Sequence, residues 1–353
     1  MNRTFRLALT AAAAGASLVG AGQALATVTG SGATFPRIAY ENWCRDSGIC
    51  SYTAKGSTGG INDFINGVVD FAASDATLTD AQLASLADKR GGVTPRYFPT
   101  LLGAVSVPIN VPGVTGNKVK LDGKTIGDIF SGVVTTWNNA AITKQNKGVS
   151  FPSAPITVCV RSDGSGTSFN FSRYLTKVSP NFKAKVNFSQ TPPWTAPNII
   201  KSPGNAGVAN CVKSNPNAIG YVDLGDAINA GLSGNVVAVG QNRVIKGKRQ
   251  TQYVLPSVAS ITKAGDISTV KPDLTLDLTG SPTAGAYPIA ITTWILAYSN
   301  YGQAGKAGSL ADVKSFLNYA YGSAAQGKLA SLGFAPLPAA IVKVAKKNLA
   351  GLA

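Results

Sequence analysis

The sequence contains no histidine, one methionine, four cysteines and only 16 acidic residues in 353. Each scarcity excludes something. Without histidine a Ser-His-Asp triad cannot be assembled, and the usual nitrogen ligand of zinc is missing. No two cysteines stand at zinc-ligand spacing, so neither a metal nor another cofactor is expected. Charged residues make up 14% of the chain against 44% hydrophobic, a balance that builds a core and does not suit intrinsic disorder. Beyond the N-terminus no apolar run is long enough to span a bilayer. The stretch "YPIAITTWILAY" at 287–298 is too short and reads as a buried strand.

What is present begins with "MNRTFRLALTAAAAGASLVGAGQALA", which carries Arg3 and Arg6, then an apolar stretch, then Ala24-Leu25-Ala26. This is the form of a cleaved secretory signal over residues 1–26, so the mature chain is expected in the periplasm or secreted beyond it. No cysteine stands at the cleavage point to take a lipid. In an exported chain, four cysteines suggest two disulfides, for which three connectivities are open. The short loop between Cys44 and Cys50 favours pairing those two, which leaves Cys159 with Cys211. The formal charge is +16, and removing a leader with two arginines and no acid leaves +14. The lysines and arginines are scattered and form no recognised motif with the aromatics, so nucleic acid is not the expected partner. Small anions, or polyanions of the cell envelope, suit such a field better.

A length of 353 residues exceeds one ordinary core, and two lobes are the default expectation. "TVTGSGATFPRIAYENWC" reads as strand, glycine turn and helix. "SYTAKGSTGGINDFINGVVDFAASDATLTDAQLASLADK" repeats that scheme and adds a short strand at 70–74 and a helix after Thr79. "APITVCVRSDGSGTSFNFSRYLTKV" gives strand, glycine turn and helix once more. Such alternation predicts an α/β fold with parallel strands. Two β-rich runs, "YFPTLLGAVSVPIN" and "YPIAITTWILAY", are the candidates for strands crossing between lobes. Residues 231–286 carry no sharp signal, and the C-terminus reads as two helices joined by a proline-containing link.

Enzyme motifs fail at single positions. "DGSGTS" would be a nucleophile elbow only with glycine at 163, where Asp163 stands. "GKT" at 123–125 would close a P-loop only with glycine at 118, which is Lys118. The dinucleotide fingerprint at 30–35 ends on Phe35 instead of a small residue. What survives is a shared geometry of three glycine turns rich in Ser or Thr, at 32–35, 56–60 and 164–167, each entering a helix. A helix start exposes unpaired N–H groups and partial positive charge, so three of them aimed at one point would wrap an oxyanion. Arg161 adds a planar fork matched to phosphate or carboxylate oxygens.

The segments "VTGSGATFPRIAY", "KGSTGG", "VDFAASDATLTD", "LDGKTIGDIFSG", "RSDGSGTSFNFSRYLTKV" and "AIGYV", in this order and spacing, carry a resemblance. The chain resembles the phosphate-binding proteins of high-affinity phosphate ABC importers, which have the two-lobed type II periplasmic-binding-protein fold. That resemblance implies a ligand cleft between a lobe of residues 27–104 plus 288–353 and a lobe of residues 105–287. It implies no catalysis, inorganic phosphate as ligand, and a permease and ATPase complex as partner. It also implies a monomer only peripheral to the membrane. The phosphate-binding residues it implies are Thr34, Phe35, Ser57, Asp75, Arg161, Ser165, Gly166 and Thr167. Asp163, two residues from Arg161, is placed to orient the guanidinium and partly neutralise it. Asp75 faces the anion as an acceptor, which suits a phosphate that keeps a proton at neutral pH and rejects a sulfate that does not. The competing readings are a secreted phosphate- or polyanion-binding relative acting outside transport and, with less support, a phosphoester hydrolase.

Overall fold

The computed structural model describes residues 28–266 and 270–353. The leader expected over residues 1–26 lies outside the described residues. The chain opens with β1 (Val28–Gly32), α1 (Arg37–Ser47), β2 (Cys50–Ala54), α2 (Ser57–Ile65), β3 (Phe71–Ser74) and α3 (Asp80–Lys89). As the alternating pattern requires, β1 pairs in parallel with both β2 and β3. The helix read after Thr79 starts there because the Thr79 hydroxyl accepts the Gln82 N–H while the Gln82 side chain accepts the Thr79 N–H, a reciprocal cap.

β4 (Pro95–Ser106) follows, then β5 (Ile109–Asn110). The next stretch holds β6 (Lys120–Asp122), α4 (Gly123–Phe130), α5 (Ala140–Thr143), β7 (Thr157–Arg161), α6 (Gly166–Val178) and α7 (Pro180–Lys185). After it come β8 (Ile199–Ser202), α8 (Gly204–Ser214), β9 (Ala218–Gly220), β10 (Val222–Asp223) and α9 (Leu224–Asn229). β11 (Ala238–Ile245), β12 (Lys248–Val254) and α10 (Val258–Ala264) precede β13 (Ala290–Tyr298), and α11 (Leu310–Ala320), α12 (Ser323–Gln326) and α13 (Ala339–Ala350) end the chain.

Among the described residues three sheets form, ordered β10-β4-β13-β3-β1-β2, β5-β9-β7-β8 and β12-β11-β6. The first is the sheet of one lobe, and the second that of the other. The run at 95–110 passes between them, since β4 lies in the first sheet and β5 in the second. β9 and β10 make a second passage in the opposite direction, which the sequence did not announce. β13 stays wholly within the six-stranded sheet, antiparallel to β4 on one side and β3 on the other. All nine of its residues are buried, and this is why it reads as a continuous apolar run and not as an alternating one.

The stretch without sharp signal contains a β-hairpin. Its two-residue turn is Lys246-Gly247, both with positive φ (49° and 74°), where lysine stands in place of the asparagine or aspartate that usually marks such a turn. At the C-terminus the link between the two expected helices holds the extra short α12.

Both expected disulfides form. Cys44–Cys50 ties the end of α1 to the start of β2, and Cys159–Cys211 ties β7 to α8, with Cα atoms 4.7 and 6.1 Å apart. The second bridge closes a span of 52 residues, for which loop entropy gives a stabilisation of about 4 kcal/mol. Replacing Cys159 and Cys211 together by alanine is therefore expected to lower the unfolding free energy by roughly 2 to 5 kcal/mol in a urea titration, against a smaller loss for the Cys44, Cys50 pair.

Candidate functional site

The site is assembled where helix starts of the two lobes meet. β1 ends at Gly32, whose φ of 140° and contact with Ala73 admit no side chain: a Cβ would stand 2.0 Å from the Ala73 carbonyl oxygen. The chain then turns through Thr34 and Phe35 into α1. The Phe35 ring is core, 5.8 Å from Phe334, so only its backbone is available to a ligand. α2 starts at Ser57, whose hydroxyl accepts the Asp75 N–H at 3.2 Å and keeps its own proton to donate. Asp75 directly follows β3 and is 1% exposed.

The opposite lobe supplies Arg161 at the end of β7 and the start of α6. Ser165 caps α6 by accepting the Ser168 N–H at 3.1 Å, which leaves the amides of Gly166 and Thr167 without a carbonyl one turn earlier. The two lobes touch closely. The Asn170 amide donates to the Asp75 carbonyl at 2.5 Å, the Thr58 N–H donates to the Gly164 carbonyl at 3.2 Å, and the Thr58 hydroxyl reaches Gln190 at 2.7 Å. At Gly166 a Cβ would meet Ser57 Oγ at 2.5 Å and Asp75 Cβ at 2.6 Å. Gly166→Ala is thus expected to wedge the lobes and weaken anion binding about tenfold, from an overpacking cost of roughly 1 to 3 kcal/mol. Unchanged affinity in calorimetry would mean that this contact is not part of the ligand-holding state.

Arg161 is buried and rigidly held. Its Nε donates to Asp163 Oδ1 at 2.8 Å, Nη2 donates to Asp163 Oδ2, and Nη1 donates to Asn205 Oδ1 at 2.7 Å. One N–H on each terminal nitrogen remains, the pair that fits two oxygens of a planar or tetrahedral anion. Asp163 also accepts the Gly204 N–H at 3.0 Å. Burial alone would raise the Asp163 carboxyl, but the hydrogen bonds and charge of Arg161, with the Gly204 amide, outweigh it and hold the group below its usual range. The guanidinium is therefore oriented and neutralised by Asp163, as the spacing of two residues suggested.

Asp75 has the opposite character. Burial pushes its carboxyl up to about 7, against the pull of the Thr293 hydroxyl, the Arg161 charge and the Ser57 hydroxyl. Its Oδ1 is buried and has no hydrogen-bond partner among the described residues. An orphan buried acceptor costs about 1 to 3 kcal/mol, and more when charged, so this atom is open to a donor, either a ligand's or the Thr293 hydroxyl, which is also unpaired among the described residues. A cleft of about 310 Å³ bordered by Asp75, Asn170, Arg173 and Lys271 runs alongside it.

Two groups central to the cluster were not singled out from the sequence. Asn205, fully buried, receives Arg161 on Oδ1 and donates from Nδ2 to Thr167 Oγ1 at 3.2 Å and to Asp223 Oδ2 at 2.8 Å. Its backbone N–H donates to Thr34 Oγ1 at 3.3 Å across the lobes. The available signal was "SPGNAG", a fourth glycine turn entering a helix, α8. Tyr221 is the other: its hydroxyl accepts the Arg161 N–H at 3.1 Å and lies 2.6 Å from the Ser168 hydroxyl. Burial pushes that phenol up to about 12, so it stays neutral. The eight residues expected to bind the ligand are thus brought together, with Asn205 and Tyr221 as the links between them.

Two lobes that bring donor groups and an unpaired acceptor into a buried cluster define a solute-binding protein. Residues 12–324 match the family model described as a PBP superfamily domain. The chain belongs to this superfamily and, within it, to the PstS phosphate-binding protein family. The phosphate-binding protein PstS of Xylella fastidiosa (strain Temecula1) is 32% identical over 324 residues, covering 90% of this chain and 83% of the relative. PstS of Haemophilus influenzae is 31% identical over 331 residues, covering 91% of this chain and 92% of the relative. A crystal structure of a phosphate-binding protein from Stenotrophomonas maltophilia aligns with a TM-score of 0.70 at 23% identity, over 91% of this chain and 93% of that one, a likeness of fold.

Proposed function

We propose that the protein binds inorganic phosphate between its lobes and hands it to an ABC permease and ATPase complex, acting as a periplasmic monomer after loss of its leader. The observation that carries this reading is the orphan Asp75 Oδ1 set among donors. The free N–H pair of Arg161, the hydroxyls of Thr34, Ser57, Ser165 and Thr167, and the amides of Phe35, Gly166 and Thr167 would each take an ionic oxygen. Asp75 would accept the single proton that phosphate retains. Because Asp163 already balances Arg161, the ion would be held by fixed dipoles and hydrogen bonds more than by net charge. We assign closure to movement of residues 27–104 with 288–353 against residues 105–287, except that β10, a strand of the six-stranded sheet paired with β4, moves with the first body. Relatives named phosphate-binding protein support the ligand, and their family supports a transporter partner.

The test is parallel titration of phosphate-stripped mature protein with phosphate, sulfate and a phosphoester in a calorimeter. One phosphate per chain, with sulfate and the ester weaker by orders of magnitude and little dependence on salt, is expected. Binding that falls steeply with ionic strength would instead favour polyanion adhesion through the basic surface.

A further inference from the structure

A second cavity, of about 520 Å³, lies apart from the anion cluster, between the start of α4, the far end of α6 and the β11–β12 hairpin. Gly123, Lys124, Tyr174, Gln241 and Arg249 line it, and its size falls in the range of small-molecule sites, about 300 to 1,000 Å³. Two of its lining residues each carry a buried polar atom without a partner among the described residues: the Tyr174 hydroxyl and Gln241 Oε1. Tyr174 is 0% exposed, and burial raises its hydroxyl above the ordinary range, so it remains an O–H donor in need of an acceptor. Gln241 has the reverse need. Its Nε2 is spent on the carbonyls of Gly280 (2.9 Å) and Ser281 (3.2 Å), and its Oε1 is left as an acceptor awaiting a donor. Glycine at 123 keeps room beside the phenol, since a Cβ there would stand 2.5 Å from Tyr174 Oη.

The charges around the cavity are unevenly used. Lys177 spends its ammonium on Asp277 (2.8 Å) and on the Thr279 carbonyl and hydroxyl (3.0 and 2.8 Å). The Asp122 carboxylate caps α4 through the Thr125 N–H at 2.7 Å, and Lys124 pairs with Asp128 at 2.5 Å while its side chain stays 58% exposed. Arg249 makes no ion pair among the described residues. The unspent groups are therefore a guanidinium, part of an ammonium, a phenolic donor and an amide acceptor. Sulfate has no hydroxyl to give Gln241, inorganic phosphate has one but fills only a small part of a cavity of about 520 Å³, and a neutral polyol leaves the cations unused.

We propose that this cavity is a second ligand site, taking a small hydroxylated phosphate monoester of the polyol phosphate class. Its phosphate sits against Arg249 and Lys124, an oxygen accepts from Tyr174, and a hydroxyl donates to Gln241 Oε1. The test is titration of protein already saturated with inorganic phosphate, using sn-glycerol 3-phosphate, glycerol and sulfate. Saturable uptake of one glycerol phosphate per chain is expected, with no comparable uptake of the other two. Tyr174→Phe and Arg249→Ala should each weaken it at least tenfold while phosphate affinity stays within twofold of the unsubstituted chain. Both changes are conservative for folding, since one keeps the ring and the other is on the surface. The Arg161→Ala variant separates this site from the first, and glycerol phosphate uptake should survive in it even if phosphate binding is lost. Absence of saturable uptake, or uptake abolished by Arg161→Ala and untouched by Arg249→Ala, would overturn the assignment.

Discussion

Arg161→Ala is expected to weaken phosphate binding by about 2 to 4 kcal/mol, roughly thirty- to a thousandfold, in a calorimetric titration. Part of the loss is direct, because the one free N–H on each terminal nitrogen would each hold an anionic oxygen. Part is indirect. Truncation leaves the Asp163 carboxylate without its bidentate partner, and strips Asn205 Oδ1 of the donor 2.7 Å away. Asn205 in turn holds Thr167 and, through its backbone, Thr34, so the disturbance reaches both lobes. Arg161→Lys should not rescue the site, since a single ammonium cannot face Asp163, Asn205 and the anion at once in the fork geometry. An affinity unchanged in Arg161→Ala would remove the guanidinium from the site.

Asp75→Asn is expected to alter selectivity more than affinity. In the native chain a sulfate would press an unprotonated oxygen against Asp75 Oδ1, leaving a buried acceptor unpaired at a cost of about 1 to 3 kcal/mol before any repulsion is counted. An amide can turn its NH2 toward that oxygen. The ratio of phosphate to sulfate affinity should therefore fall about five- to a hundredfold in the variant. The same substitution exposes a pH effect in the ligand-free protein. The Asp75 carboxyl rises from 3.8 to about 7 on folding because of burial, so between those values the folded chain holds a proton that the unfolded chain has lost. Stability supplied by that proton is complete below about pH 4 and disappears as pH rises through 7. Urea unfolding of phosphate-stripped protein across this window should show the native chain losing stability relative to Asp75→Asn. A flat difference would mean that Asp75 titrates normally.

Some of this architecture was legible residue by residue. The glycine turns at 32–35, 56–60 and 164–167 announce helix starts because a residue without a side chain followed by Ser or Thr has few other uses before an amphipathic stretch. Thr79 with Gln82 marks α3 for the same local reason. The disulfide pairs followed from loop length alone. The hairpin at Lys246-Gly247 is not legible in the sequence because lysine is a poor marker of positive φ, and it is held there by cross-strand pairing over the whole of β11 and β12. The return passage through β9 and β10 is illegible for a related reason. Each is only two or three residues long, and what recruits them is the open edge of a strand distant in sequence.

The sequence by itself determined the local chemistry: which turns enter helices, which residues carry unpaired amides and hydroxyls, and that an anion fork, Arg161 beside Asp163, stands next to such a turn. Only the tertiary structure decided that these pieces face one another. Gly166 of one lobe lies against Ser57 and Asp75 of the other, and Asn205 bridges Arg161 to Thr34, from which Asn205 is 171 positions distant in the chain. It also decided that Asp75 would be buried with one oxygen unpaired, the property to which we assign the proposed rejection of sulfate. The physical reason is that helix propensity and capping act within a few residues, whereas burial and charge compensation depend on what the rest of the chain packs against them.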